Sequence, residues 1–178
     1  MQVSINGPVV QTTAPWGLQA LSTTKSVGRT DTATLNYTYT YDSSAGSGVD
    51  VYVVDTGINT AHVEFEGRAT WGFAAGKFAQ VDGHGQLRPC LMSFRTNYTA
   101  GHGTHCAGTI GSRAYGVAKN VSIIAVKVLD DGGSGTVADI VSGLQYVVNA
   151  TTYGSTSCST FVNDRQITEF LESLRSLA

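Results

Sequence analysis

Two residues in this sequence are of types that could work together, an acid that orients an imidazole and an imidazole that moves a proton. Asp55 closes the run Val49-Asp50-Val51-Tyr52-Val53-Val54 and is followed by Thr56-Gly57, while His102 lies within Gly101-His102-Gly103-Thr104-His105-Cys106-Ala107-Gly108. A β-branched run ending in a polar turn reads as a buried parallel strand, and in parallel α/β sheets reacting groups collect beyond the carboxyl ends of strands. A carboxylate placed there can orient an imidazole. The small residues around His102 leave its ring open both to a partner acid and to a substrate. Asp with His makes two thirds of a nucleophilic triad. The blander alternatives are a turn or helix cap for Asp55 and a structural helix position for either histidine.

Other constellations are weaker. Asp-Thr-Gly also serves as the loop of aspartic peptidases, but that chemistry needs two carboxylates sharing one proton, and no second Asp-Thr/Ser-Gly is present. His102 and His105, three apart on a helix, could bind zinc, yet no third ligand has convincing spacing, so no metal residue is assigned. Gly133-Ser134-Gly135-Thr136-Val137-Ala138 after a strand matches a dinucleotide fingerprint. The second strand ending in an acid that this would require is missing around Ser155 to Thr160.

The elements that must position Asp55 and His102 are legible around them. Val121 to Leu129 forms a second β-branched run, ends in Asp130-Asp131-Gly132-Gly133-Ser134-Gly135, and is followed by Val137, Ile140, Val141, Leu144 and Val148 at helical spacing. Gly101 to Ser112 suits a helix packed tightly on a sheet. The fold class expected is therefore α/β, a parallel sheet with flanking helices. Residues 1 to 47 read as irregular wrapping, with Asn36 to Tyr41 alternating like an exposed strand. After Thr151 a Ser/Thr-rich stretch leads to Asp164, which can cap a short helix bearing Phe170, Leu171, Leu174 and Leu177 on one face.

Composition narrows the function classes. The 178 residues are 42% hydrophobic and 13% charged, with 21 glycines and a net charge of −2, as suits one globular domain rich in tight turns. There is no basic block for nucleic acid and no apolar run of membrane-spanning length. Cys90, Cys106 and Cys158 allow at most one disulfide. Asn-x-Ser/Thr at Asn36, Asn97, Asn120 and Asn149 is compatible with secretion. The sequence opens without a signal-peptide pattern, so any targeting segment is expected upstream of Met1.

Taken together, these segments resemble the subtilisin-like serine peptidases, most closely the fungal proteinase K branch. Tyr52-Val53-Val54-Asp55-Thr56-Gly57-Ile58 is similar to the family's Asp motif, and Gly101-His102-Gly103-Thr104-His105-Cys106-Ala107-Gly108-Thr109 to its His motif. Tyr115-Gly116-Val117-Ala118, Val126-Lys127-Val128-Leu129-Asp130 and Ala14-Pro15-Trp16-Gly17-Leu18 extend the likeness from about Ala14 to Asn149. The resemblance implies that Asp55 orients the imidazole and that His102 acts as general base toward a serine, then as acid toward the leaving amine. It implies that Gly133, Ser134 and Gly135 form the edge that pairs with an extended peptide. Cys106 matches the thiol this branch carries beside its catalytic histidine, with mercurial sensitivity as the expected trace. Asp50 stands where the branch often has a half-cystine, so that disulfide is not expected. The resemblance further implies a secreted monomer whose partners are protein or peptide substrates and its own propeptide. No cofactor is implied except structural calcium; Thr24 resembles one ligand position for that ion, but its distant partner is absent.

Departures from the pattern matter as much. The family carries its nucleophile in Gly-Thr-Ser-Met-Ala, and an asparagine helps hold the oxyanion; these 178 residues contain neither segment. Ser155, Ser157 and Ser159 have no comparable helix-start setting, and none is assigned as nucleophile. Losing that serine costs subtilisin, a member of the family, about a millionfold in turnover. The expectation is a truncated subtilisin-like fold, inactive as given, with a non-catalytic fragment or peptide-binding remnant as the alternative. The expected organisation is a propeptide-like end at 1–12, the peptidase region at 13–150 and a non-family tail at 151–178. Gln2 to Val10 resemble the propeptide, with maturation near Gln11 to Ala14.

Residues 85–100 are expected to be an insert. Removing them joins His84 to Gly101, restores the family's continuous Asp-Gly-His-Gly-His-Gly-Thr-His, and shortens the Asp55 to His102 separation from 47 to 31. Their codons would span 48 nucleotides, and Gly85-Gln86, Thr96-Asn97-Tyr98 and Ala100-Gly101 permit splice-like signals, so a retained intron is one reading, with a second one explaining the tail; the alternative is a genuine surface loop and a genuine short tail.

Overall fold

The structure is a computed structural model and describes residues 7–28, 33–81, 87–89, 101–153 and 157–161. His84, Cys90, Asn97, Ser155, the Asp164 to Leu177 helix and most of 85–100 lie outside these residues. The elements run β1 (Pro8–Ala14), α1 (Trp16–Ser22), β2 (Tyr37–Asp42), β3 (Val49–Asp55), β4 (Ala69–Ala74), β5 (Ala79–Val81), β6 (Leu87–Pro89), α2 (His102–Gly111), β7 (Ser122–Lys127), α3 (Val137–Tyr153) and β8 (Ser157–Phe161).

The central sheet is parallel, in the order β4-β7-β3-β8. β3 sits inside it, and Val51, Tyr52, Val53, Val54 and Asp55 are all buried. That is why the strand shows no alternation of apolar and polar residues: both faces are covered. On one face Val51, Val53, Ile123 and Ala125 pack with Phe65, Cys106 and Ala107 beneath α2. On the other, Tyr52, Val54, Val126 and Val128 pack with Val147 and Leu144 of α3. The expected α/β class and both flanking helices are observed.

Glycine sets how closely the helices approach. A Cβ on Gly111 of α2 would come 2.6 Å from Val121 Cγ2, and one on Gly143 of α3 would come 2.4 Å from Val128 Cγ1. At its start, α3 is fixed by a reciprocal cap. Thr136 Oγ1 accepts from the Asp139 amide at 3.1 Å, and Asp139 Oδ2 accepts from the Thr136 amide at 3.2 Å.

The stretch expected to wrap irregularly is more ordered than its composition suggests. β1 and β2 pair antiparallel and dock on the connection between α2 and β7. Gln11 Nε2 donates to the Ala114 carbonyl at 2.9 Å and the Tyr39 hydroxyl to the Val117 carbonyl at 2.8 Å. Within 85–100, Leu87–Pro89 pair antiparallel with β5. In the tail, β8 extends the sheet, Ser157 pairing with Val49 and Phe161 with Val53. β4 has no counterpart in the sequence reading; Gly72 interrupts its pattern because a Cβ there would meet Ile124 at 2.5 Å and the Tyr146 hydroxyl at 2.9 Å.

Candidate active site

Asp55 ends β3 and its side chain is wholly buried. His102 opens α2, and its Nδ1 lies 2.8 Å from Asp55 Oδ2 and 3.0 Å from Oδ1, across 47 residues of sequence. The acid is sealed on its other sides. The Thr56 amide donates to Asp55 Oδ1 at 2.6 Å, and the Asp55 carbonyl accepts from the amides of Val128 and Leu129. An acceptor-only carboxylate facing Nδ1 selects the tautomer with its proton on Nδ1, leaving Nε2 as the basic atom. The His102 side chain is 52% exposed, so that atom is available to a reacting group.

Sequence explains why α2 can start here. Gly101, at the N-cap, brings no capping side chain, and the first turn contains no acid. Tertiary contacts serve instead. The Gly103 amide donates to Thr56 Oγ1 at 3.1 Å, which satisfies one of the helix's open N–H groups, and Thr104 Oγ1 accepts from the Asn59 amide at 2.9 Å. Gly103 has no room for a side chain: a Cβ would stand 2.4 Å from the Gly57 carbonyl oxygen and 3.0 Å from Asp55 Oδ1.

Cys106, one turn further along α2, is buried, and its Sγ lies 3.9 Å from both ring nitrogens of His102. It forms no disulfide. Among the described residues, Asp55, His102 and Cys106 are the grouping whose donor atoms come near enough for a metal, all within 4.8 Å of one another. A sulfur equidistant from both nitrogens lies off the lone pair of either, so this arrangement braces the ring rather than encircling an ion. His105 is exposed, away from the pair.

Gly133, Ser134 and Gly135 follow β7 on the loop beyond the same end of the sheet. The loop is closed by Asp130, whose Oδ1 accepts from the amides of Gly132 and Ser134 at 3.0 and 2.8 Å, while its own amide donates to the Ser134 carbonyl. Gly133 has φ +78°, and Gly135 packs so that a Cβ would meet the Val128 carbonyl oxygen at 2.4 Å. Ser159 of β8 is in register with Val51, four residues before Asp55, or roughly 13 Å along the strand.

Sequence reasoning named Asp55 and His102 but missed what Thr56 and Lys127 do. Thr56 is buried and bonds through its amide, hydroxyl and carbonyl. Lys127 is paired with Asp55 across β3 and β7, and its Nζ donates to the Thr56 carbonyl at 2.5 Å. A lysine at the end of an otherwise apolar buried strand was the available signal.

Comparison with known proteins agrees with this geometry. The peptidase S8 group, described as the subtilase family, matches residues 46–160. The chain is 48% identical over 145 residues to a cuticle-degrading protease of Metarhizium anisopliae, covering 80% of this chain and 31% of that protein. It is 46% identical over 147 residues to proteinase R of Parengyodontium album, covering 83% and 31%. A cold-adapted subtilisin-like serine proteinase of known structure superposes with a TM-score of 0.57 at 37% identity, over 84% of this chain and 45% of that one. The chain thus spans about a third of the length of these curated relatives. The family match reaches residue 160, through most of β8. The chain belongs to the subtilase family.

Proposed function

We propose that these residues form the acid and base half of a serine endopeptidase. Asp55 orients His102 and supports the imidazolium that forms, and His102 takes the serine proton and returns it to the leaving amine. One observation carries the reading: a fully buried carboxylate bonded to Nδ1 of a half-exposed imidazole. The nucleophile would come from a segment outside these 178 residues, because no Gly-Thr-Ser-Met-Ala occurs within them. The register of Ser157 and Ser159 with Val49 and Val51 supports leaving both unassigned. By itself this polypeptide then hydrolyses peptides negligibly.

The natural substrate is an extended protein or peptide chain. Asp130 already occupies the Gly133 amide and both backbone groups of Ser134, so the Gly135 amide and carbonyl are groups of this edge left to pair with a substrate backbone. The same edge also favours the second reading, a peptide-binding remnant without catalysis. Secretion, a monomeric state and an N-terminal propeptide whose junction falls near Gln11 to Ala14 complete the proposal. The deciding experiment is full-length cDNA sequencing across Asp82 to Thr104 and past Asn149, paired with a serine-directed phosphonate probe on the 178-residue chain. A transcript lacking the codons for 85–100 and continuing to a serine segment is expected, with no labelling of the chain itself. Labelling would overturn the claim that these residues hold no nucleophile.

A further inference from the structure

The contacts of Lys127 extend beyond what the Asp55–His102 pair requires. Its side chain is only 13% exposed. The ammonium turns inward, donating to the Thr56 carbonyl at 2.5 Å, and lies 5.0 Å from the centre of the Phe78 ring. Asp131, four residues on and largely exposed, takes a second bond at 3.2 Å. The stem of the side chain bears on the turn as well. Gly57 has φ +99°, and a Cβ there would stand 2.9 Å from Trp71 and 3.3 Å from Lys127 Cδ.

Thr56 is therefore held from three directions. Lys127 grips its carbonyl from β7, the Gly103 amide of α2 reaches its hydroxyl, and its own amide is directed at Asp55 Oδ1. A charge-assisted hydrogen bond to a backbone carbonyl is stronger than a neutral one, and here it acts on the residue that sets the carboxylate plane. We infer that Lys127 is a positioning residue: by clamping the Thr56 carbonyl it fixes the Asp55 carboxylate toward His102 Nδ1. Its ammonium bonds to Thr56 and Asp131, so it acts on the pair through Thr56. The inference rests on reading Asp55 and His102 as the acid that orients and the base that transfers the proton, and makes the geometry of that pair depend on a cation from the neighbouring strand.

The low-field proton resonance of the His102 Nδ1–H bonded to Asp55 tests this in the 178-residue chain, with circular dichroism reporting the fold. Its absence in the unmutated chain would refute the underlying pair. Given its presence, Lys127→Met is expected to abolish it while the helix signal is kept, and Lys127→Arg, which retains a cationic donor, is expected to preserve it. Asp131→Asn removes only the negative charge of the exposed partner, keeping an amide oxygen there, and should leave the resonance unchanged. If Lys127→Met does not fold, Lys127→Gln, too short to reach the carbonyl, is read in its place. An unchanged resonance in the folded Met or Gln variant would overturn the inference. So would equal loss in the Arg variant, since packing of the stem would then be the cause, and so would loss in Asp131→Asn.

Discussion

Asp55 and His102 meet at 2.8 Å with the acid fully buried and the base half exposed. This asymmetry suits each to the role proposed for it. A carboxylate shielded from water and already accepting the Thr56 amide has one open direction, toward Nδ1, while the ring keeps its other nitrogen for a reactant. In a form of the protein that carries the serine, Asp55→Asn should keep the fold and lower kcat by about 10⁴-fold, the scale known for triad carboxylates in this family, with KM little changed. Steady-state hydrolysis of a chromogenic peptide measures it, and a loss below tenfold would remove Asp55 from the mechanism.

Gly103→Ala should separate the same pair by a steric route. The added methyl would meet the Gly57 carbonyl oxygen at 2.4 Å and Asp55 Oδ1 at 3.0 Å, both on backbone or buried atoms that have little room to give. Overpacking of this kind costs about 1–3 kcal/mol. A lowered urea midpoint together with loss of the low-field imidazole proton is expected, whereas Gly108→Ala on the same helix, where a Cβ meets nothing within 4 Å, should keep the proton and raise the midpoint, because alanine is the better helix former.

The sequence showed the candidate site and the elements that carry it more clearly than the rest of the frame. β3, β7, α2 and α3 were readable because a strand buried on both faces must be β-branched throughout and a helix packed on a sheet must repeat its apolar positions. Asp55 and His102 were readable because they sit at the ends of those elements. β4 was hidden, since Gly72 breaks its pattern for the sake of the Tyr146 ring, a neighbour far away in sequence. The order in β1 and β2 was equally hidden, because it depends on Gln11 and Tyr39 bonding to carbonyls about a hundred and about eighty residues away. The roles of Thr56 and Lys127 arise from register between strands, and register is not written locally.

Gly133 and Gly135 should respond differently to the same substitution. At Gly133 a Cβ meets nothing within 4 Å, so alanine suffers only from φ +78°, a cost of about 1 kcal/mol. At Gly135 alanine must displace the Val128 carbonyl and Leu129, so a cost of about 2–3 kcal/mol and a distorted loop are expected. Urea unfolding ranks the two. Calorimetric titration with an extended peptide should then show weaker binding for Gly135→Ala, because the edge that pairs with the peptide is what moves. Equal stabilities for the two variants would contradict the packing described.

Stability should rise with pH on the alkaline side because of Lys119. This lysine is 8% exposed, donates to the Arg113 carbonyl at 2.9 Å, and lies 5.5 Å from the centres of both the Tyr39 and Tyr41 rings. Burial pushes its ammonium down to about 8, against a partial opposing pull from Glu64 and with a small further push from Arg68. An unfolded lysine titrates near 10.4. Between those values the unfolded chain binds more protons than the folded one, so the cost of charging the buried amine, complete below about pH 8, is relieved as pH rises toward 10.5. A shift of this size corresponds to roughly 1–3 kcal/mol, the lower end applying if the tyrosine faces stabilise the cation. Urea midpoints measured from pH 7.5 to 10.5 for the chain and for Lys119→Met isolate the effect from other titrating groups. The chain should gain on the variant across that window. If it loses ground instead, the aromatic and carbonyl contacts outweigh desolvation, and Lys119 acts as a cation that pins β2 to the loop after α2.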